Sequence, residues 1–183
     1  MAALQDQLVA LFASATMVAS IMRTRWGWPT IESVHFIGLS LLIGTIGLFD
    51  LRLLGMAKRV PIAALHRLIP WGIFGYAINV ITGSMFLLTE PDQYVYNPAF
   101  HLKMLFMGVA GVNVLTFYFF VFRKVQALEP GLEAPRSARL IAGVSLFCWI
   151  TVIVCGRLLT FYRPGLCEGP RGFLSTCIPG GGG

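Results

Sequence analysis

The stretch IESVHFIGLSLLIGTIGLFDLRLL, residues 31–54, decides the fold. After Glu32 and Ser33 it stays apolar to Phe49, broken only by His35, Ser40 and Thr45, and closes on Asp50 and Arg52. A helix needs about 20 mostly apolar residues to cross a hydrocarbon layer. It carries no polar stripe of the kind a helix on the surface of a soluble domain turns to water. Three more stretches read the same way, at about Leu65–Leu88, Ala99–Phe122 and Arg139–Tyr162. The sequence therefore predicts an all-α integral membrane protein, with a four-transmembrane-helix bundle over residues 29–163.

Composition agrees. Of 183 residues, 56% are hydrophobic and 12% charged, against about 25% charged in an ordinary soluble domain. Four spans and their short connectors leave no room for a second domain. The connectors carry loop chemistry: Gly55 to Pro61 holds Lys58 and Arg59, Thr89 to Pro98 is acidic and bounded by prolines, and Arg123 to Ala138 holds Pro130, Gly131 and Pro135. The first two spans are not repeated in the last two, which counts against an inverted-repeat transporter.

Residues 1–28 read as an N-terminal interfacial amphipathic helix with an aromatic and basic anchor. Leu4, Leu8, Leu11, Phe12, Val18 and Met22 share one face, and Asp6, Ser14, Thr16 and Ser20 fall mostly elsewhere. Arg23, Arg25, Trp26 and Trp28 follow, a mixture suited to the headgroup layer, before Pro29 starts a new direction. Asp6 stands where a signal peptide carries basic residues, so this segment is expected to remain on the mature chain. Residues 164–183 form a Gly, Pro and Cys tail ending in Gly180–Gly183.

The formal charge of +6 does not point to nucleic acid, because the basic residues flank apolar runs and form no stripe with interleaved aromatics. Counted by side, Arg52, Lys58, Arg59, Arg67, Arg123, Lys124, Arg136 and Arg139 make eight; Arg23, Arg25, Lys103, Arg157, Arg163 and Arg171 make six. The positive-inside rule then puts the first set in the cytoplasm and both termini in the periplasm of a bacterial inner membrane. In that compartment Cys167 and Cys177 are placed to close a disulfide, whereas Cys148 and Cys155 lie in the fourth span as buried small apolar residues.

Polar residues in lipid need a reason. Asp50 and Arg52 read as an ion pair or as interfacial snorkelling at the inner end of the first span, and Asn79 and Asn113 as interhelical hydrogen-bond glue. The histidines are more informative. With a rise of about 1.5 Å per residue, His35 lies roughly 25 Å above Arg52 and His101 roughly 33 Å above Arg123, so both fall in the outer part of the bundle. His66 enters the second span alone from the inner side.

Two histidines on different helices at similar depth suit the two axial positions of one haem b. Gly38, Leu39 and Leu42 near His35, and Leu105, Gly108 and Val112 below His101, include the small residues a flat macrocycle needs beside it. Lys103 and Arg157 are on the outer side, where they can neutralise propionates. A two-haem relay would need four histidines and the chain has three, so it holds at most one such haem. Copper is a weaker reading, resting on His101, Met104 and the other methionines. There is no phosphate loop, Ser-His-Asp constellation, facing carboxylate pair or Cys-x-x-Cys pair, so catalysis by this chain alone is not expected.

SVHFIGLSLLIGTIGLFDLRLLG at Ser33–Gly55 and PWGIFGYAINVITGSMFLLTEPDQYVYNPAFHLKML at Pro70–Leu105 resemble an uncharacterised bacterial family of four-helix inner-membrane proteins. The likeness is more distant to the copper-resistance D type of membrane domain. It covers roughly residues 20 to 120. His35, Asp50, Arg52, Gly83 and Lys103 match the pattern's landmarks, and His101 departs from it.

Two functions follow as expectations. In one, the chain is a haem b anchor passing electrons between a periplasmic redox partner and quinone. In the other, it is a cofactor-free accessory subunit that packs faces such as Phe117–Phe122 against other membrane subunits.

Overall fold

A computed structural model of the chain describes residues 2–126, 128 and 131–161. Among these residues the regular structure is entirely helical, and four helices are long and apolar enough to cross a membrane. Helices α1 (Ala2–Ala13) and α2 (Thr16–Met22) precede α3 (Gly27–Leu53). The second long segment is α4 (Ile62–His66) plus α5 (Ile69–Thr89), followed by the short α6 (Pro91–Val95). The third is α7 (Pro98–Thr116), a π-helical turn at Phe117–Val121, and α8 (Phe122–Gln126). The fourth is α9 (Arg136–Leu158).

Each boundary has a local cause. The expected single N-terminal helix is broken by a 69° bend between Leu4–Ala13 and Thr16–Met22, where the Ser14 hydroxyl donates back to the Leu11 carbonyl at 2.6 Å and competes with the helical pattern. Helix α3 starts earlier than expected because Pro29 sits in its first turn, where no backbone N–H is needed. The second span begins at Ile62 rather than Leu65 and breaks before Ile69; Pro70 has no N–H to give the His66 carbonyl. Asn97 caps α7, its Oδ1 accepting from the Ala99 N–H at 3.0 Å, with Pro98 at the first helical position.

The chain divides into two compact units, each drawing on all four long segments. Among the described residues the first comprises 2–35, 80–105 and 152–161. Helix α1 lies on α6 there: Gln5 donates to the Val95 carbonyl at 3.2 Å and the Tyr96 hydroxyl donates to Asp6. Met22, Tyr96, Asn97 and Cys155 are buried, and Gln93 donates to the Leu159 carbonyl at 3.2 Å.

The second unit comprises the described residues within 36–79 and 106–151. Phe49, Leu53, Ile62, Phe117, Val121, Val125, Ala134, Ala138 and Ala142 form its buried core. Helices α3 and α5 approach so closely that a Cβ on Gly75 would lie 2.5 Å from the Gly38 carbonyl oxygen, and one on Gly72 2.4 Å from Thr45 Oγ1. Small residues at such contacts are what let membrane helices pack without a hydrophobic drive between them. Asn113 donates to the Ile141 carbonyl at 3.0 Å and joins α7 to α9 as expected. Asn79 donates within α5, to the Gly75 carbonyl at 2.9 Å.

Candidate functional site

The candidate site grows from His35, in the first unit. Its Nδ1 is hydrogen-bonded to Thr82 Oγ1 at 2.7 Å, and its ring meets Phe86 edge-on with centroids 5.6 Å apart. Thr82 and Phe86 are one turn apart on α5, so a single face of that helix supplies both the hydroxyl and the ring that fix the imidazole. Trp28 backs Phe86 at 5.0 Å. When Nδ1–H donates to the hydroxyl, Nε2 keeps a lone pair; a metal-binding histidine almost always has its other ring nitrogen held in this way.

Beside the imidazole stands Gly83. A Cβ there would meet only His35 Cε1, at 3.9 Å, so α5 leaves room along the ring edge leading to Nε2. Helix α7 adds Lys103, whose charge acts on both His35 and Cys155. Its Nζ lies 3.9 Å from where a Cβ on Gly156 would stand. Among the described residues no carboxylate makes an ion pair with Lys103. An imidazole, a hydroxyl, an ammonium and a buried thiol from four helices therefore gather in this unit.

The other expected ligands are placed less centrally. His101 lies in the first turn of α7 in the same unit, its N–H donating to the Asn97 carbonyl at 3.3 Å and its ring 6.2 Å from Phe100. Arg157 runs along its own helix, Cζ 5.2 Å over the Phe161 ring, rather than joining Lys103. Gly38 cannot border a macrocycle, because Ile78 Cγ2 at 2.7 Å and Asn79 Nδ2 at 2.8 Å already occupy its Cβ position. Gly108 has nothing within 4 Å. The small residue next to the imidazole is Gly83, which spacing along α3 alone had no way to select. Cys167 and Cys177 lie outside the described residues, while Cys148 and Cys155 are buried free thiols.

The second unit holds a different polar group. Asp50 and Arg52 make neither an ion pair nor a snorkelling contact: they are 5% and 1% exposed. Two positions apart on a helix, they point to roughly opposite sides. Ser145 stands beside Asp50, and Arg52 Nε donates to the Val60 carbonyl at 2.8 Å. Asp50 Oδ2, both Arg52 Nη atoms and Trp149 Nε1 are buried with no hydrogen-bond partner among the described residues. His66 sits among Phe49, Tyr118 and Phe122, with Tyr118 Oη 3.4 Å from its Nε2. Among the described residues no three His, Cys, Asp or Glu side chains gather as a metal site.

No protein-family model, curated protein or solved structure matches this chain. Residue roles here rest on the geometry alone.

Proposed function

We propose that this chain is a multi-pass membrane subunit that holds one haem b at the His35 site and serves as an electron-transfer anchor. The hydrogen bond of 2.7 Å between His35 Nδ1 and Thr82 carries this reading, since it leaves Nε2 as the coordinating atom and fixes the plane of the ring. His101, on another helix of the same unit, would be a second residue to hold the haem, and Lys103 would offer the cation for a propionate. The bound group would supply one-electron chemistry; the chain orients the imidazoles, excludes water with Phe86 and Trp28, and offers the compensating charge. Placement in a bacterial inner membrane with both termini periplasmic, and exchange with a periplasmic donor and quinone, belong to the same proposal.

The test is a reduced-minus-oxidised visible spectrum of protein purified in mild detergent, with a pyridine haemochrome assay and metal analysis. A b-type band near one haem per chain, lost in His35→Ala, supports the reading. Copper without haem would move the imidazole to the chemistry suggested by the copper-resistance D likeness. A flat spectrum and no metal sinks both and favours a cofactor-free accessory subunit. That second reading draws on Phe119 and Phe120, which are 78% and 74% exposed at the π-helical turn. Two large adjacent rings there fit packing against another membrane subunit.

A further inference from the structure

The bend between α1 and α2 encloses something of its own. In the first unit a cavity of about 290 Å³ opens between α2 and the end of α5, with Ala19, Ser20 and Arg23 on one side and Thr89, Glu90 and Asp92 on the other. Its rim carries both signs of charge. Arg23 Nη2 stands 3.5 Å from Glu90 Oε1 and donates to the Thr89 carbonyl at 3.4 Å. The Arg23 and Glu90 side chains are 67% and 46% exposed, and an open pair of this kind contributes little by itself. A ligand carrying its own cation and anion can replace that contact without leaving either charge unpaired.

We propose that this cavity binds the phosphoethanolamine headgroup of a membrane phospholipid, with the phosphate on Arg23 and the primary ammonium on Glu90 and Asp92. The inference uses the membrane placement proposed above and is independent of the haem. Three observations select this ligand. The cavity volume sits at the lower end of the roughly 300–1,000 Å³ typical of ligand clefts, which suits a headgroup rather than a whole amphiphile. Arg25 and Trp26 follow Arg23 in the chain, with Arg25 Cζ 5.8 Å over the Trp26 ring and Trp26 71% exposed, a combination found at the headgroup layer. Met17 and Ile21 on α2 are 77% and 53% exposed and offer an apolar surface for the acyl chains.

Charge decides among headgroups. A primary ammonium has three N–H donors for carboxylate acceptors. A choline headgroup has none, and a glycerol headgroup has no cation and brings its phosphate toward Glu90 and Asp92 uncompensated.

The experiment is native mass spectrometry of the full chain in detergent, titrated with phosphatidylethanolamine, phosphatidylcholine and phosphatidylglycerol of identical acyl chains. Ethanolamine lipid is expected to bind roughly tenfold more tightly than the others, the difference that one charge-assisted hydrogen bond makes. Arg23→Gln and Glu90→Gln should each erase that preference. Ala19→Leu, which fills the cavity and keeps both charges, should lower ethanolamine-lipid binding while circular dichroism stays unchanged. Equal binding of the three lipids, or a preference that survives both charge variants, overturns the proposal. Soluble phosphoethanolamine binding as tightly as the lipid overturns the lipid assignment. Failure to bind any lipid overturns the membrane placement as well.

Discussion

Gly75→Ala and Gly108→Ala add the same methyl group to two long apolar helices, and the structure gives them opposite signs. At Gly75 the new carbon would lie 2.5 Å from the Gly38 carbonyl oxygen and 2.9 Å from the Leu42 nitrogen; ordinary contact begins at 3.4 Å, so the first shortfall is 3.4 − 2.5 = 0.9 Å. Both obstructing atoms are backbone and cannot rotate away, so α3 and α5 must separate. Overpacking of this kind costs about 1–3 kcal/mol, occasionally more, and a rigid neighbour puts it at the upper end. Alanine returns about 1 kcal/mol in helix propensity, leaving a net loss of about 2 kcal/mol. Gly108 has nothing within 4 Å, so only the propensity gain of about 1 kcal/mol remains there. The two variants should differ by about 3 kcal/mol, or roughly 6–12 °C in melting temperature at about 2–4 °C per kcal/mol. Thermal unfolding in one detergent, followed by circular dichroism, measures the gap. If Gly75→Ala melts with or above Gly108→Ala, α3 and α5 do not pack through Gly38 and Gly75.

Three further outcomes follow from the polar groups. Arg52→Met removes the 2.8 Å bond to the Val60 carbonyl, but also two buried nitrogens with no partner among the described residues, each costing about 1–3 kcal/mol; stability should stay level or rise, and a loss beyond about 3 kcal/mol would mean the guanidinium holds a partner. On the proposed haem reading, Thr82→Val should lower haem occupancy or broaden the b-type band while His35→Ala abolishes it; unchanged spectra in both would separate any colour from this site. Glu133 is held below the usual carboxylate range by its hydrogen bond to Lys58, that residue's charge and the charge of Arg139. A depressed folded value stabilises above the unfolded pKa, about 4.3, and the benefit disappears as pH falls through the folded value. The stability gap between the parent and Glu133→Gln should therefore be level near neutrality and close on acidification, and about 1 M salt should shrink it throughout.

The four long apolar segments were legible because length and composition alone carry them; their internal breaks were not, and the expected second span ran straight through Pro70. Pro70 disrupts the start of the second segment through its missing N–H, which the sequence displays. The π-helical turn at Phe117–Val121 has no such marker: four aromatic residues in succession, of which Phe117 meets Phe49, read equally well as plain helix. The N-terminal bend at Ser14 was hidden for a similar reason. A serine between two apolar turns is tolerated in a helix unless, as here, its hydroxyl takes the Leu11 carbonyl for itself.

Side-chain roles that depend on which helices adjoin were the part the chain order conceals. Asp50 and Arg52 looked like one another's partners because they are close in sequence, yet two positions on a helix face apart, and their actual contacts are Ser145 and Val60. His35 stood out in the sequence as an imidazole in an apolar helix, and it is half-buried. Its setting comes from α5, through Thr82, Gly83 and Phe86, none of which carries a charge; Gly83 was noticed only as a landmark of the resemblance, not as a neighbour of the imidazole. The same local logic that selected Gly38 as the space beside the imidazole failed because a glycine on the right face of one helix says nothing about what the next helix places against it. At Gly38 that neighbour is Ile78, tightly packed; at Gly83 the only atom within reach is the imidazole's own Cε1. Whether a glycine is a contact or a vacancy is a property of the pair of helices, so any ligand site in this bundle had to be read from packing and not from spacing.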